Sequence, residues 1–323
     1  YAQSRYERAA PNLTGGGRAE RADERKDMTF AGAIARIGSR LLALLPLRAI
    51  AAISGPLSTL GWWLAKSRRR VALTNLRLCF PQLTEAEREA IVREHFRAYM
   101  QAALEHGFLW NASGERIRDY VTLHDEHEWK QFRESDNPRP VIWLCPHFLG
   151  LDACAIRISV DTSGCSIYSE QSNPDLDQMM LAGRTRFGDS KIIARTEGVK
   201  PIIRAMKSGL PFYYLPDMDF GARDSVFVPF FGVKAATITG VSRLAKLTGA
   251  AVVPVIATQR PKGRGYDVRF YPAWENFPSG DDEADARRVN AFIEDRVREN
   301  IPQYLWTHKR FKTRPPNEQS VYS

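Results

Sequence analysis

"VIWLCPHFLGLDACAIRISV" (141–160) opens with an apolar run of strand length, breaks at Pro146 to Gly150, and resumes as an apolar-rich stretch. This pattern predicts a buried strand, a tight turn and a helix start. Inside it, His147 and Asp152 have the spacing H-x-x-x-x-D. On a regular helix, residues five apart lie roughly 140° around the axis and do not face each other. They meet if His147 sits in the turn and Asp152 in the first helical turn. A carboxylate beside an imidazole fixes its tautomer and stabilises its protonated form, which makes an oriented general base. The plainer alternative is a histidine that ends a strand and an aspartate favoured near a helix N-terminus.

Working outward, apolar runs at 141–145, 165–168, 191–194, 211–215 and 251–257 alternate with helix-like stretches near 149–159, 175–187, 197–208 and 238–248. That alternation predicts an α/β fold, a mixed, mostly parallel central sheet with helices on both faces. "YDVRFYPA" (266–273) reads as a further strand at an edge, and 281–300 as an amphipathic helix with an acidic start. Thr84 and Glu87 form a capping-box signature opening a scaffold helix over 83–109. Ligands of open α/β sheets sit at the carboxyl ends of strands. His147, Tyr168 and the Asp217/Asp219 pair all fall at such ends, so they predict one site.

The 323 residues, 44% of them hydrophobic, suffice for one large domain with an amino-terminal attachment. The net charge of +9 suits nucleic acid, anionic headgroups or an acidic carrier protein, without choosing among them. Cys79, Cys145, Cys154 and Cys165 form no C-x-x-C pair and no zinc-like cluster, so they are expected as small buried core residues. No Gly-rich nucleotide loop and no G-x-S-x-G elbow is present. Residues 1–27 are polar and expected to be disordered, with Met28 as the natural start. Residues 41–65 are the most apolar segment and are followed by the basic "KSRRR" at 66–70. The segment over 28–70 therefore reads as a membrane anchor, spanning or interfacial, and a hairpin of core helices is the alternative. Residues 71–316 form the main domain and 317–323 a tail.

Three further groups invite a role. Arg184 and Arg186 close a helix, where a guanidinium can hold an oxyanion or phosphate. Phe230 and Phe231 lie in an apolar loop that suits a greasy substrate or plugs the core. "YLWTHKRFKTRP" (304–315) mixes aromatics with basic residues, as nucleic-acid or phospholipid surfaces do.

Five blocks together, "RRRVALTNLRLCFPQLTEAER" (68–88), "PHFLGLD" (146–152), "NPDLD…GRTRFG" (173–188), "FVPFFGVKAATITGVSRLAKLTGAAVVPV" (227–255) and "QYLWTHKRFKTRP" (303–315), resemble the lipid A late acyltransferase family. These are the lauroyl and myristoyl transferases of bacterial lipopolysaccharide synthesis, within the glycerolipid acyltransferase-like superfamily. Many members carry Glu where Asp152 stands. The resemblance implies an enzyme of the bacterial inner membrane facing the cytoplasm, with an acyl thioester donor on acyl carrier protein or coenzyme A. It implies a lipid A precursor as acceptor and no metal or other cofactor. His147 would be the general base, Asp152 its partner and Arg184 the oxyanion donor. Asp217 or Asp219 would brace that arginine or the site, and Phe230 and Phe231 would line the acyl channel. Arg310, Arg314 and the residues at 66–70 would hold the acceptor's phosphates or an acidic carrier. A relative acting on a lysophospholipid, ornithine lipid or glycolipid would carry the same catalytic pair. A non-enzymatic membrane-surface protein would leave that pair unexplained, and nucleic-acid binding has no motif to support it.

Overall fold

The computed structural model describes residues 29–322, so the expectations for 1–27 and for Met28 lie outside the described residues. The described residues begin with four helices, α1 (Phe30–Leu44), α2 (Leu47–Leu64), α3 (Lys66–Cys79) and α4 (Glu85–Asn111), followed by α5 (Gly114–Tyr120), β1 (Val121–His124) and α6 (His127–Lys130). The alternating part runs β2 (Val141–Leu144), α7 (Leu151–Asp161), β3 (Cys165–Tyr168), α8 (Pro174–Arg184), β4 (Lys191–Ala194), α9 (Lys200–Lys207) and β5 (Phe212–Tyr214). A hairpin of β6 (Ser225–Phe230) and β7 (Val233–Ile238) precedes α10 (Gly240–Thr248), β8 (Ala251–Gln259), β9 (Tyr266–Phe270) and α11 (Asp282–Glu299).

The central sheet has seven strands in the order β1-β9-β8-β2-β5-β3-β4. Every pairing is parallel except β8 with β9, so β1 and β9 run against the other five. The mixed, mostly parallel α/β architecture is as expected. Two details differ. The strand at 266–270 is not at the edge, because β1 adds outside it. Its four residues, with only Val121 fully buried, carry too short a pattern to stand out in sequence. The stretch read as an apolar loop forms the two-stranded sheet β6–β7.

Strand β2 is buried along its whole length, as a central parallel strand must be. Its side chains alternate between two cores. Ile142 and Leu144 join Phe212, Tyr214, Val252 and residues of α9, α10 and α11. Val141 and Trp143 join Tyr213, Val253 and residues of α4 and α7. All four cysteines are buried and unbridged.

The apolar segment at 41–65 is split. Pro46 caps α2, and Leu45 ends α1 in an extended conformation. Among the described residues no helix is long and apolar enough to cross a membrane. Helix α1 lies on α4 so closely that a Cβ on Gly107 would stand 2.6 Å from Leu42 Cβ. Its opposite face exposes Phe30, Ile34, Ile37, Leu41 and Leu44, each more than half accessible, in a single helical stripe.

Candidate active site

The turn after β2 is fastened on three sides. Gly150 passes β8 so tightly that a Cβ would stand 2.8 Å from the Ala257 carbonyl, which reserves the position for glycine. The carboxy-terminal strap runs alongside. Leu149 N–H donates to Gln303 O (2.9 Å), and Leu305 N–H donates to His147 O (2.9 Å). The third fastening is Asp217, whose carboxylate accepts from His147 N–H at 3.0 and 3.2 Å.

Asp217 also pairs with the imidazole. Its Oδ1 lies 2.7 Å from His147 Nδ1. An ionised carboxylate only accepts, so Nδ1 carries the proton and Nε2 presents a lone pair. Burial would push the Asp217 carboxyl up, but the neighbouring His147 and its hydrogen bonds outweigh burial and bring it to about 2. Asp217 has no accessible side-chain surface, whereas His147 keeps 12%. The pairing arises because β5, which leads to Asp217, lies directly beside β2, which leads to His147.

Asp152, expected beside the imidazole, has no hydrogen bond to His147. It starts α7, but its hydrogen bonds go elsewhere. His106 Nε2 on α4 donates to Oδ2 (3.0 Å), and Arg184 at the end of α8 grips Oδ1 through Nε (2.8 Å) and Nη2 (2.7 Å). Burial draws the His106 imidazole down, yet the Asp152 hydrogen bond and charge outweigh it and the net shift is upward. Burial likewise pushes Asp152 up, and the Arg184 charge with the His106 bond reverse that and hold its carboxyl well below the usual range. Helix α8 comes close enough to α4 for this grip because residue 183 is glycine, where a Cβ would stand 2.3 Å from Trp110 Cδ1. His106 was not singled out from the sequence. A lone histidine on a long helix carries no local sign of a partner 46 positions away.

The remaining candidates are spread out. Asp219 is buried and accepts from Thr313 N–H (2.6 Å) and Thr313 Oγ1 (2.7 Å), which ties down the strap. Arg186 donates to the Ala112 carbonyl and stacks on Phe187. Phe230 is fully buried against Tyr304 and Phe311, and Phe231 packs on Phe80. Phe230 lies in the core, whereas the half-buried Phe231 lines a separate cleft with Phe80, Leu83 and Arg298. Arg310 is also in the core, 1% exposed, and donates to Ala236 O, Thr237 Oγ1 and Asn290 Oδ1. Arg314 donates to Lys234 O and pairs with Glu318. The strap's aromatic and basic pattern thus serves mostly internal packing, because its arginines satisfy buried carbonyls that the sequence does not reveal.

An apolar cleft opens beside Asp152 and Arg184. It runs along α7 and the length of β3, past Leu151, Ala155, Ile156, Ile167, Ile192 and Leu215, to Thr162, Gly164 and Ser190 beside the amino ends of β3 and β4. The face of the sheet it uses is that of Trp143 and Tyr213, opposite the face of Tyr214. A buried imidazole–carboxylate pair with a lone pair on Nε2, at a strand end, is equipped to take a proton from a hydroxyl, and an apolar cleft lined by Asp152 and Arg184 is suited to a long apolar chain.

Comparisons with known proteins give the family. The family described as bacterial lipid A biosynthesis acyltransferase matches residues 23–313. The lipid A biosynthesis lauroyltransferase of Escherichia coli is 32% identical over 283 residues, 87% of this chain and 91% of that protein. The myristoyltransferase of the same organism is 36% identical over 260 residues, 80% of each. A lipid A biosynthesis acyltransferase of Haemophilus influenzae is 34% identical over 287 residues, 86% of each. Among solved structures, the 1-acyl-sn-glycerophosphate acyltransferase PlsC of Thermotoga maritima aligns with a TM-score of 0.36 and 15% identity, covering 77% of this chain and 97% of that one. With a match that extends from the first helices through the strap, this acyltransferase belongs to the bacterial lipid A biosynthesis acyltransferase family.

Proposed function

We propose that the enzyme transfers a fatty acyl chain from a thioester, on acyl carrier protein or coenzyme A, to a hydroxyl of a lipid A precursor. The observation that carries the reading is the His147–Asp217 pair at the carboxyl end of β2. His147 Nε2 takes the hydroxyl proton as the oxygen attacks the thioester carbonyl. Asp217 stabilises the resulting imidazolium. The tetrahedral intermediate then collapses, the C–S bond breaks, and the thiolate leaves with the proton from His147. Arg184, poised at the mouth of the cleft by Asp152 and His106, supplies positive charge toward the developing oxyanion. The acyl chain occupies the cleft, and the cleft's far end at Thr162, Gly164 and Ser190 sets the length that fits.

The acceptor is a membrane lipid, and the exposed stripe of α1 with Leu60, Trp63 and Leu64 of α2 supports an interfacial seat on the inner membrane's cytoplasmic leaflet. The basic start of α3, Lys66 to Arg70, follows that surface and suits anionic headgroups. The test is mass spectrometry of lipid A from cells with and without the gene, with a His147→Ala strain as control. A mass difference of one fatty acyl group, absent in the control strain, is expected. Identical lipid A in all strains refutes the acceptor assignment.

A further inference from the structure

A further cleft opens at the corner where α1 turns into α2, and it shares no residue with the His147–Asp217 pair or with the apolar cleft. It is lined by Pro46 and Arg48 of that corner, Asp119 of α5, and Arg260, Arg264 and Asp267 around the β8–β9 turn. Two glycines bring these three segments together. Gly263 and Gly265 both have positive φ, and a Cβ on them would run into the carbonyls of Leu47 and Tyr120 respectively. Arg264 sits between the two glycines, Arg48 follows Leu47 and Asp119 precedes Tyr120, so the three side chains surround one opening.

Their charges are not used within the protein. Arg260 is engaged by Asp267 through Nε (3.0 Å) and Nη2 (2.7 Å), and His124 shares that carboxylate (2.8 Å). Arg264 gives only its Nε, to the Pro261 carbonyl (3.1 Å). Among the described residues Arg48, Arg264 and Asp119 form no ion pair, although all three are exposed and line the same cleft. Two cations and a carboxylate that do not pair with one another complement a ligand carrying both charges a few bonds apart. The cleft also adjoins the apolar stripe of α1. That stripe ends at Leu41 (59% exposed) and Leu44 (75% exposed), and Pro46 at the edge of the cleft is two residues farther on.

We propose that this cleft binds the headgroup of an ethanolamine phospholipid: the phosphate lies between Arg48 and Arg264, and the ammonium donates to Asp119. A guanidinium fork matches phosphate oxygens, and a primary ammonium brings N–H donors to a carboxylate. A quaternary choline brings none, so the site prefers ethanolamine. The ligand is a bilayer lipid rather than a soluble ester, because its chains continue along the stripe of α1. The inference rests on the interfacial seat of that helix.

The test is co-sedimentation of the full chain with vesicles of phosphatidylcholine, alone or mixed with phosphatidylethanolamine, which carry the same net charge. The parent is expected to bind the mixed vesicles about threefold more tightly, the scale of one exposed ion pair. Asp119→Asn should erase that preference and leave binding to phosphatidylcholine as it was. Arg48→Gln with Arg264→Gln should weaken binding to both vesicles by about threefold or more, since both lipids carry the phosphate. Thermal melts and acyl transfer in detergent should match the parent for every variant. A preference that survives Asp119→Asn comes from lipid packing and overturns the proposal. So does a loss of turnover in detergent, which would put these residues in the acyl-transfer site. Glycerophosphoethanolamine is titrated in parallel, and displacement at a concentration equal to that of the lipid headgroup assigns the cleft to a soluble ester and overturns the lipid source. A parent that binds neither vesicle removes the interfacial seat and this inference together, whereas equal binding to both removes this inference alone.

Discussion

Exchanging Asp217 for asparagine tests the central geometry most directly. The carboxyl is fully buried, and the neighbouring His147 with its hydrogen bonds outweighs burial and holds it at about 2, in its charged form. Removing that charge leaves the His147 imidazolium without its buried counter-charge. An asparagine amide facing Nδ1 also favours the tautomer with hydrogen on Nε2, the atom that must accept the substrate proton. A loss of about 10²–10⁴-fold in kcat/KM is therefore expected. The assay is initial-rate transfer from a labelled acyl thioester to purified lipid A precursor. Nitrogen NMR of the histidine rings follows the tautomer. Asp217→Asn should move the His147 proton from Nδ1 to Nε2, whereas Asp152→Asn should leave it on Nδ1, since Asp152 bonds to His106 and Arg184. A tautomer that responds to Asp152→Asn and ignores Asp217→Asn refutes the pairing.

His106 has a raised pKa when folded, so its stabilisation is complete below the unfolded value of about 6.5 and is lost as pH rises through the folded value. The melting temperature should fall over that window, and His106→Gln should flatten the fall. A parallel curve for the variant contradicts the assignment. Gly183→Ala drives a methyl into the Trp110 ring and pushes α8, with Arg184, off α4. A destabilisation of about 1–3 kcal/mol is expected, with reduced turnover, and a variant matching the parent in thermal melts and kcat goes against this. Ile192→Trp fills part of the cleft and should shift donor preference toward shorter acyl chains in competition assays, and an unchanged preference would place the chain elsewhere. Ile37→Asp with Leu41→Asp charges the exposed stripe of α1 and should lower co-sedimentation with anionic vesicles at least about tenfold, while thermal melts stay unchanged.

Local pattern was enough for a good part of this protein. The apolar run at 141–144 and the turn after it declare a buried strand, and Thr84 with Glu87 declares the start of α4, because strand alternation, helix period and capping act over a few residues. The alternation from β2 to α10 leads to the α/β class for the same reason, and it puts His147, Asp217 and Asp219 at strand ends. Which carboxylate would meet the imidazole was not written locally. Asp152 is five positions from His147 and Asp217 is 70, yet the lateral order β2 beside β5 brings the distant one to 2.7 Å. Strand order in a parallel sheet is set by crossover packing, to which the neighbours of His147 in sequence are indifferent. The strap follows the same logic. Its basic residues look like a surface until Arg310 is found among Ala236, Thr237 and Asn290, since only a completed core presents the carbonyls that draw a guanidinium inside.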